Sequence, residues 1–385
     1  MKILIVLTYY RPHISGLTIY AERLAKAFAR RGHEVTILTS QFEKSLAREE
    51  TIDGVKIIRV PVWFRLSKGV IMPTFGRMAS KLVKQTDVIQ LHLPQFDAAG
   101  ISLRGRLLRK PTVITYHCDL KLPPGLFNRI ANLAVVFMNW LTAIFTHQIV
   151  TYTTDYAENS DYLKHKMKKV TVIPPPVELP AVGDRAIKAF TETHNPLNQR
   201  PVIGMAARFA TEKGVEILLD AMPMIVEKFP MTLVQFVGPY KNIIGEEEYF
   251  ARLFSRIEAY QAKGNWEFQG SLDPEHMAAF FPNLDVLVLP SLNSTEAFGL
   301  VQIEAMMNGI PCVESALPGV RQPVLRHGMG KIFPIGNSKA LAEAVIEILN
   351  HKSDFENNKT PFTIYEPDNI AVEYEKVFDL IKKKI

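Results

Sequence analysis

The chain of 385 residues holds only two cysteines, Cys118 and Cys312, one in each half. Two thiols so placed make neither a disulfide framework nor a metal-ligand cluster, so a reducing compartment is expected. No G-x-G-x-x-G follows the first apolar segment, where Gly16 stands alone, and the dinucleotide-binding fingerprint is thereby set aside. A secretory leader is not expected either. In MKILIVLTYY the apolar run is short, and charged and turn-forming residues follow too soon, so it reads as a first buried strand. Only one stretch is both long and free of Asp, Glu, Lys and Arg: the 21 residues of 130–150. That length spans a bilayer in principle. Asn132, Asn139, Thr142, Thr146, His147 and Gln148 interrupt it, however, and its end reads as a strand. The expectation is a buried helix feeding that strand, in a chain that rests on a membrane or is free of one.

What is present is a globular composition, 47% hydrophobic and 22% charged, in a chain long enough for two cores. The net charge of +6 hides a split. Residues 1–180 carry 25 Lys and Arg against 13 Asp and Glu, a net of +12; the remainder carries 20 against 26, a net of −6. A basic first half suggests an anionic partner such as a membrane surface or a phosphorylated lipid acceptor. A solvated basic face with no partner is the plainer alternative. Nucleic acid is not expected, because no recognisable binding module is present.

Short β-rich runs alternate with helical stretches. Lys2–Thr8, Glu34–Thr39, Val55–Val60, Val88–Leu91, Val113–Thr115, Ile149–Thr151 and Val170–Ile173 read as strands, and Leu17–Arg31 as a helix. The proline-rich segment Ile173–Pro180 reads as a linker. Beyond a polar stretch to Arg200 a second series follows: Val202–Ala206, Leu233–Val237, Trp266–Phe268, Val286–Leu289 and Cys312–Val313, with helices Val215–Phe229 and Leu300–Asn308 between. Strands separated by helices imply parallel sheets covered on both faces, so the fold class is α/β, two doubly wound Rossmann-like units in tandem. The expected domains are 1–178, 179–366 and a final segment 367–385 whose helix begins near Asn369.

In the second half, an apolar strand runs into the polar loop Ser291–Thr295, and a helix starts near Phe298–Gly299. Free backbone amides and the helix dipole at such a junction favour a phosphate. Glu296 and Glu304 lie eight apart, which puts Glu304 about two turns into the helix. On spacing alone, a capping glutamate and an ordinary surface glutamate explain the pair equally well.

The segment EAFGLVQIEAMMNGIP (296–311) resembles the E-x7-E signature of glycosyltransferase family four, retaining enzymes of GT-B fold. GMAARFATEKGVEILLDAM (204–222), FVGPY (236–240), FQGSLDPEHMAAFF (268–281), ALPGVRQPV (316–324) and GKIFPIGNSKALAEAV (330–345) follow in the family's order. ISGLTIYAERLAKAFARRGHEVTILT (14–39) is similar to its N-terminal loop and helix. The resemblance covers nearly the whole chain and is looser in the first half. It implies two domains facing a central cleft, a C-terminal helix crossing back to the N-domain, and a nucleotide-sugar donor held by the second half.

The resemblance also implies residue roles. Arg208 and Lys213 would hold the donor diphosphate, and a leaving diphosphate needs such neutralisation. Glu296 would meet a sugar hydroxyl; Phe298, Gly299 and Leu300 would offer backbone to sugar and phosphate; Glu304 would bind the ribose. Gly238, Gly270 and Leu272 would border the base. His117, in TYHCD, matches the family's histidine near the donor sugar. Gly16 matches a glycine loop approaching the diphosphate, although Ser15 stands where the family has a second glycine. Tyr9, Arg11 and His13 would border the acceptor. The absence of any Asp-x-Asp argues against the metal-dependent GT-A fold, so no cofactor or metal is expected.

The implied reaction is a same-face displacement from a UDP-sugar or GDP-mannose onto a saccharide or lipid-linked acceptor, in the cytoplasm or on the inner membrane face. The mixed aromatic and basic run 61–84 fits either an anionic lipid interface or a core-facing helix with a basic outer side. A nucleotide-sugar 2-epimerase of the same fold and a non-catalytic nucleotide-sugar binder are the alternatives.

Overall fold

The computed structural model describes residues 1–66, 69–120, 126–355 and 361–385. It divides into one unit of Met1–Val177 with Thr363–Ile385 and another of Glu178–Phe362. The break falls inside the proline-rich segment read as the linker, which forms no strand or helix.

In the first unit, β1 (Lys2–Val6), β2 (Glu34–Gln41), β3 (Glu49–Ile52), β4 (Val55–Pro61), β7 (Val88–Leu93), β8 (Thr112–Tyr116), β9 (Gln148–Thr151) and β10 (Val170–Val172) form one sheet. Its order is β10-β9-β8-β7-β1-β2-β4-β3, and every pairing is parallel except β3 with β4. The strands β5 (Phe64–Leu66) and β6 (Gly69–Ile71) form a separate hairpin. Helices α1 (Gly16–Arg30), α2 (Phe75–Gln85), α3 (Ala98–Leu107), α4 (Leu126–Phe145) and α5 (Thr154–Asn159) alternate with the strands.

The second unit contains β11 (Val202–Ala206), β12 (Leu233–Val237), β13 (Trp266–Gly270), β14 (Val286–Leu289), β15 (Cys312–Ser315) and β16 (Gly330–Phe333). They are all parallel, in the order β13-β12-β11-β14-β15-β16. This is a doubly wound sheet whose strand order reverses between β11 and β14, the switch point at which ligands of such sheets bind. Its helices are α6 (Asp184–His194), α7 (Val215–Lys228), α8 (Glu247–Gln261), α9 (Pro274–Phe280), α10 (Leu300–Met307), α11 (Gln322–His327) and α12 (Ser338–Asn350). Apolar faces of α7, α8 and α12 close on Ile203, Val234, Val286 and Val313 to make its core.

The last helix, α13 (Pro367–Lys382), belongs to the first unit and packs on α1. Ile370, Tyr374, Val377 and Phe378 are its buried face, and the Phe28 and Phe378 rings lie 5.8 Å apart. Arg31 forks onto Glu375 with bonds of 2.7 and 2.9 Å. The decisive contact is internal. The Tyr374 hydroxyl lies 2.7 Å from both the Tyr20 hydroxyl and Thr115 Oγ1, and all three side chains are fully buried.

Two expectations need adjusting. The run 61–84 is not one element. It forms the β5–β6 hairpin, with Trp63 and Phe64 exposed, and then α2, whose Phe75, Ala79 and Val83 are buried. Residues 67 and 68 of that run lie outside the described residues. The helix expected to be buried within 130–150 does feed β9 as α4, but it is not buried. Leu133, Val136, Phe137, Trp140 and Ile144 are all exposed. Among the described residues, no helix is long and apolar enough to cross a membrane.

Tyr374→Phe removes the hydrogen-bond partner shared by two buried hydroxyls, which costs about 1–3 kcal/mol where one of them is left unsatisfied. Urea unfolding should show that loss. A midpoint equal to wild type would mean the hydroxyl chain contributes nothing.

Candidate functional site

The loop after β11 contains both expected cations. Phe209 and Ala210 are fully buried and anchor it, and Thr211–Lys213 forms a single 3-10 turn. Glu246, itself buried, accepts from the Thr211 amide (2.9 Å) and hydroxyl (2.7 Å) and fixes the turn from the side. Gly214 closes it in the left-handed region at φ 67°, and a Cβ there would lie 2.0 Å from the Pro290 carbonyl oxygen. Only glycine allows this approach. Leu292 N donates to Glu212 O at 2.9 Å and ties the turn to the loop after β14.

In that second loop Pro290 ends the strand, and Asn293 Oδ1 accepts from the Thr295 amide at 3.1 Å, a side-chain turn. Ala297 and Phe298 are buried anchors. Gly299 sits at φ 77°, where a Cβ would meet Leu289 and Gln302 within 2.6 Å. Gln302 Nε2 donates to the carbonyls of Phe298 (2.8 Å) and Val320 (3.1 Å), bracing the start of α10.

An ion pair also joins the two loops. Lys213 Nζ lies 2.6 Å from Glu296 Oε2, with side chains 19% and 17% exposed. The other oxygen, Oε1, accepts from Gly299 N at 3.0 Å. Glu296 is therefore both the capping glutamate of the plainer reading and the partner of Lys213. Leu300 opens α10, whose first amides point into this corner as those of any helix start do. Glu304 lies buried about one turn further along the same helix, rather than the two turns its spacing from Glu296 suggests, because the helix starts only at Leu300. Arg208 pairs with Glu212, a residue the sequence reading did not single out although it directly precedes Lys213. Burial raises the Glu212 carboxyl, but Arg208 and Lys213 outweigh it and the net shift is downward.

Gly238 follows β12 at φ 128°, with a Cβ position 2.1 Å from Ala207 O. Its amide donates to Gly270 O at 2.7 Å, so the loops carrying Gly270 and the half-buried Leu272 are tied to the loop of Arg208. The Tyr240 and Phe268 rings stack beside them, centroids 4.1 Å apart.

In the first unit His117 follows β8, 7% exposed, and its Nε2 lies 2.8 Å from His92 Nδ1. The Tyr152 hydroxyl bonds its Nδ1, and Tyr20 stands edge-on to the ring at 5.1 Å. Burial holds His92 down to about 3, and burial and His92 hold His117 well below the ordinary histidine value. His92 and Tyr152 are partners the sequence reading missed. Thr115, two residues before His117, is the residue that α13 holds through Tyr374.

Gly16 is the first residue of α1, and a Cβ on it would meet nothing within 4 Å. Ser15, the departure from the family pattern, caps that helix, its hydroxyl accepting from Thr18 N at 3.2 Å. Tyr9 and His13 stack at 4.9 Å, and burial lowers the His13 pKa. Arg11 is occupied: Glu22 holds its guanidinium at 2.5 Å, and Arg59 donates to its carbonyl at 2.9 Å. Two cavities, about 440 Å³ along α6 and about 570 Å³ beside Arg59 and Trp63, lie on other surfaces. Neither is lined by any of the residues expected at the donor.

Neutral buried histidines have a measurable consequence. An unfolded histidine titrates near roughly 6.5, whereas His92 in the fold stays neutral down to about 3. Between those values the unfolded chain binds a proton that the native chain does not, so stability is lost as pH falls below the unfolded value. The urea midpoint should drop from about pH 7 to about pH 5, and His92→Asn should flatten the drop. An unchanged slope in the variant would show that His92 titrates normally.

Comparison with known proteins matches this geometry to a family. Residues 14–180 match the family described as Glycosyltransferase Family 4, and residues 187–360 the one described as Glycosyl transferases group 1. The chain is 27% identical over 399 residues to an uncharacterized glycosyltransferase of Methanocaldococcus jannaschii, covering 99% of this chain and 98% of that protein. It is 24% identical to the phosphatidyl-myo-inositol mannosyltransferase of Mycolicibacterium smegmatis, covering 91% and 85%. Among solved structures, Anabaena HepE in complex with UDP and glucose superposes with a TM-score of 0.72 at 17% identity, covering 100% and 99%, a likeness of fold. The two doubly wound sheets are those of a GT-B protein, and the chain belongs to glycosyltransferase family four.

Proposed function

We propose that this protein is a retaining, metal-independent hexosyltransferase. It moves a sugar from a UDP-sugar or GDP-mannose to a hydroxyl on a lipid or lipid-linked saccharide. The observation that carries the reading is the Lys213–Glu296 pair at the β11/β14 switch point, with Glu296 also holding Gly299 N at the start of α10. A cation, a helix start and a glycine that admits close backbone approach form an anion site in the second unit.

On this reading Lys213 and Arg208 neutralise the diphosphate as the glycosidic bond breaks, and each already has a carboxylate that sets its direction. Glu296 accepts from a hydroxyl of the transferred sugar and positions it. Amides at Phe298–Leu300 meet sugar and phosphate, and Glu304 accepts from ribose hydroxyls. Loops at Gly238, Gly270 and Leu272 border the base. His117, neutral and fixed by His92 and Tyr152, orients the sugar rather than delivering charge. A donor phosphate oxygen takes the acceptor proton on the same face as the departing bond. The lipid acceptor is supported by the likeness to a phosphatidyl-myo-inositol mannosyltransferase and by the +12 charge of residues 1–180. Such an acceptor places the work at the cytoplasmic face of a membrane.

Thermal unfolding with UDP, GDP, ADP and their common sugars tests the donor site. A ligand bound only by the native state at a hundredfold excess over Kd stabilises by about 2.7 kcal/mol. One base should raise Tm clearly and so name the donor; no shift with any of them removes the donor site from the reading. With that donor in hand, Lys213→Ala should lower kcat by about 100-fold or more. A near-normal kcat would take Lys213 out of the reaction.

A further inference from the structure

Helix α4 is inverted with respect to the ordinary rule for a surface helix. Its buried positions include Asn139 and Thr142, at 5% and 0% exposure, and Thr146, just past its end, is 1% exposed. Its exposed large apolar positions, beside the exposed Arg129 and Ala134, are Leu133, Val136, Phe137, Trp140 and Ile144, between 46% and 63%. At 100° per residue these five fall on one stripe about 100° wide, the apolar face of an amphipathic helix. Here that face points away from the protein. The Phe137 and Trp140 rings stack with centroids 6.2 Å apart, giving the stripe an aromatic centre.

The inner side is committed to the protein. The Tyr162 hydroxyl donates to Asn139 O at 2.7 Å, and Lys169 Nζ donates to Ala143 O at 2.8 Å and Thr146 O at 3.0 Å. The apolar face therefore cannot be turned inward by rotating the helix without breaking these bonds.

Charge near the stripe is mostly positive. Between residues 98 and 170 the sequence has ten Lys and Arg against four acids, Asp119, Asp155, Glu158 and Asp161. Asp119 is buried and engaged by the Tyr116 and Ser160 hydroxyls. Arg106 and Arg109 are exposed at the end of α3, which packs on α4, and Lys168 is exposed next to Lys169 at the other helix's end. A helix too polar to span a bilayer, with an outward Trp-centred apolar stripe and a basic surround, has the composition of one lying in the interface of an anionic bilayer.

We propose that α4 is an interfacial helix that seats its Leu133–Ile144 stripe in an anionic lipid bilayer, docking the first unit on the membrane. The docking is independent of the transferase reading, since it needs neither donor nor acceptor to bind. Its site also differs from the 61–84 run to which the sequence first points.

The full chain without nucleotide should sediment with vesicles of phosphatidylcholine and phosphatidylglycerol, weakly with phosphatidylcholine alone, and less as salt is raised. Phe137→Ser with Trp140→Ser, both at exposed positions, should keep the wild-type melting temperature and bind at least about tenfold more weakly. Arg106→Glu with Lys168→Glu should weaken binding to anionic vesicles and remove most of its salt dependence. Three outcomes would overturn the proposal. One is wild-type protein that ignores anionic vesicles; another is binding lost in Trp63→Ser but kept in the α4 variant. The third is light scattering that shows a dimer dispersed by the α4 substitutions, which assigns the stripe to a second copy of the chain.

Discussion

A carbonyl oxygen 2.0 Å from where a side chain would begin at Gly214 is the constraint on which the donor-type site depends. The missing Cβ lets the turn after β11 lie directly on Pro290 at the end of β14. The same approach allows Leu292 N to reach Glu212 O and puts Lys213 Nζ within 2.6 Å of Glu296. These strands are neighbours in the sheet at the place where its order reverses, so their loops diverge to opposite faces unless something draws them together. Gly214 draws them together sterically, and the ion pair does so electrostatically. A half-buried pair of this kind contributes little net stability once its desolvation is counted. Its value is placement: the ammonium is held at the mouth of a helix whose first amides need a partner.

The first unit relies on a different physics. Its histidine cluster is stripped of water, so His92 and His117 are kept neutral and act as dipoles and shape rather than charge. The last helix of the chain enters this cluster from below. Tyr374 joins Tyr20, which faces the His117 ring, to Thr115, which shares a strand end with it. The C-terminal segment is thus part of the support of His117, although more than 250 residues separate them in sequence. Any loosening of α13 leaves buried hydroxyls unsatisfied beneath that residue.

Most of the parallel strands could be read from the sequence because both faces of such strands are buried, so they appear as continuous apolar runs; Val202–Ala206, Leu233–Val237 and Val286–Leu289 begin and end as expected. Elements without that signature were missed. The edge strand β3 is charged and mostly exposed, and only the Asp53–Gly54 turn, both residues at positive φ, betrays its hairpin. The short β16 begins at a glycine and is only partly buried, and α6 lies within the polar stretch that precedes Arg200. At the site, residues on the motif (Lys213, Glu296, Gly299) were legible because their spacing is local. Glu212, Glu246, His92 and Tyr152 were not, because what marks them is a partner: Arg208, Thr211 or His117, some of them distant in sequence and found only by folding.

Helix α4 exposes the limit of hydropathy reasoning most clearly. A run of 21 uncharged residues establishes that something apolar is present, but not which way it faces. The assumption that apolar means inward fails here because the polar atoms of Asn139, Thr142 and Thr146 sit on the inner side. Burying a large apolar side chain is worth about 1.5–3 kcal/mol, so five left half in water forgo an energy comparable to the whole margin that separates stable from unstable domains in many small proteins. The interfacial docking proposed for α4 would give this exposed face a second apolar medium. On that proposal, the +12 charge of residues 1–180 acts at longer range than the stripe and draws the chain toward an anionic surface before any apolar contact forms. Charge then governs how often the first unit meets such a surface, and the Phe137–Trp140 stripe governs how long it stays.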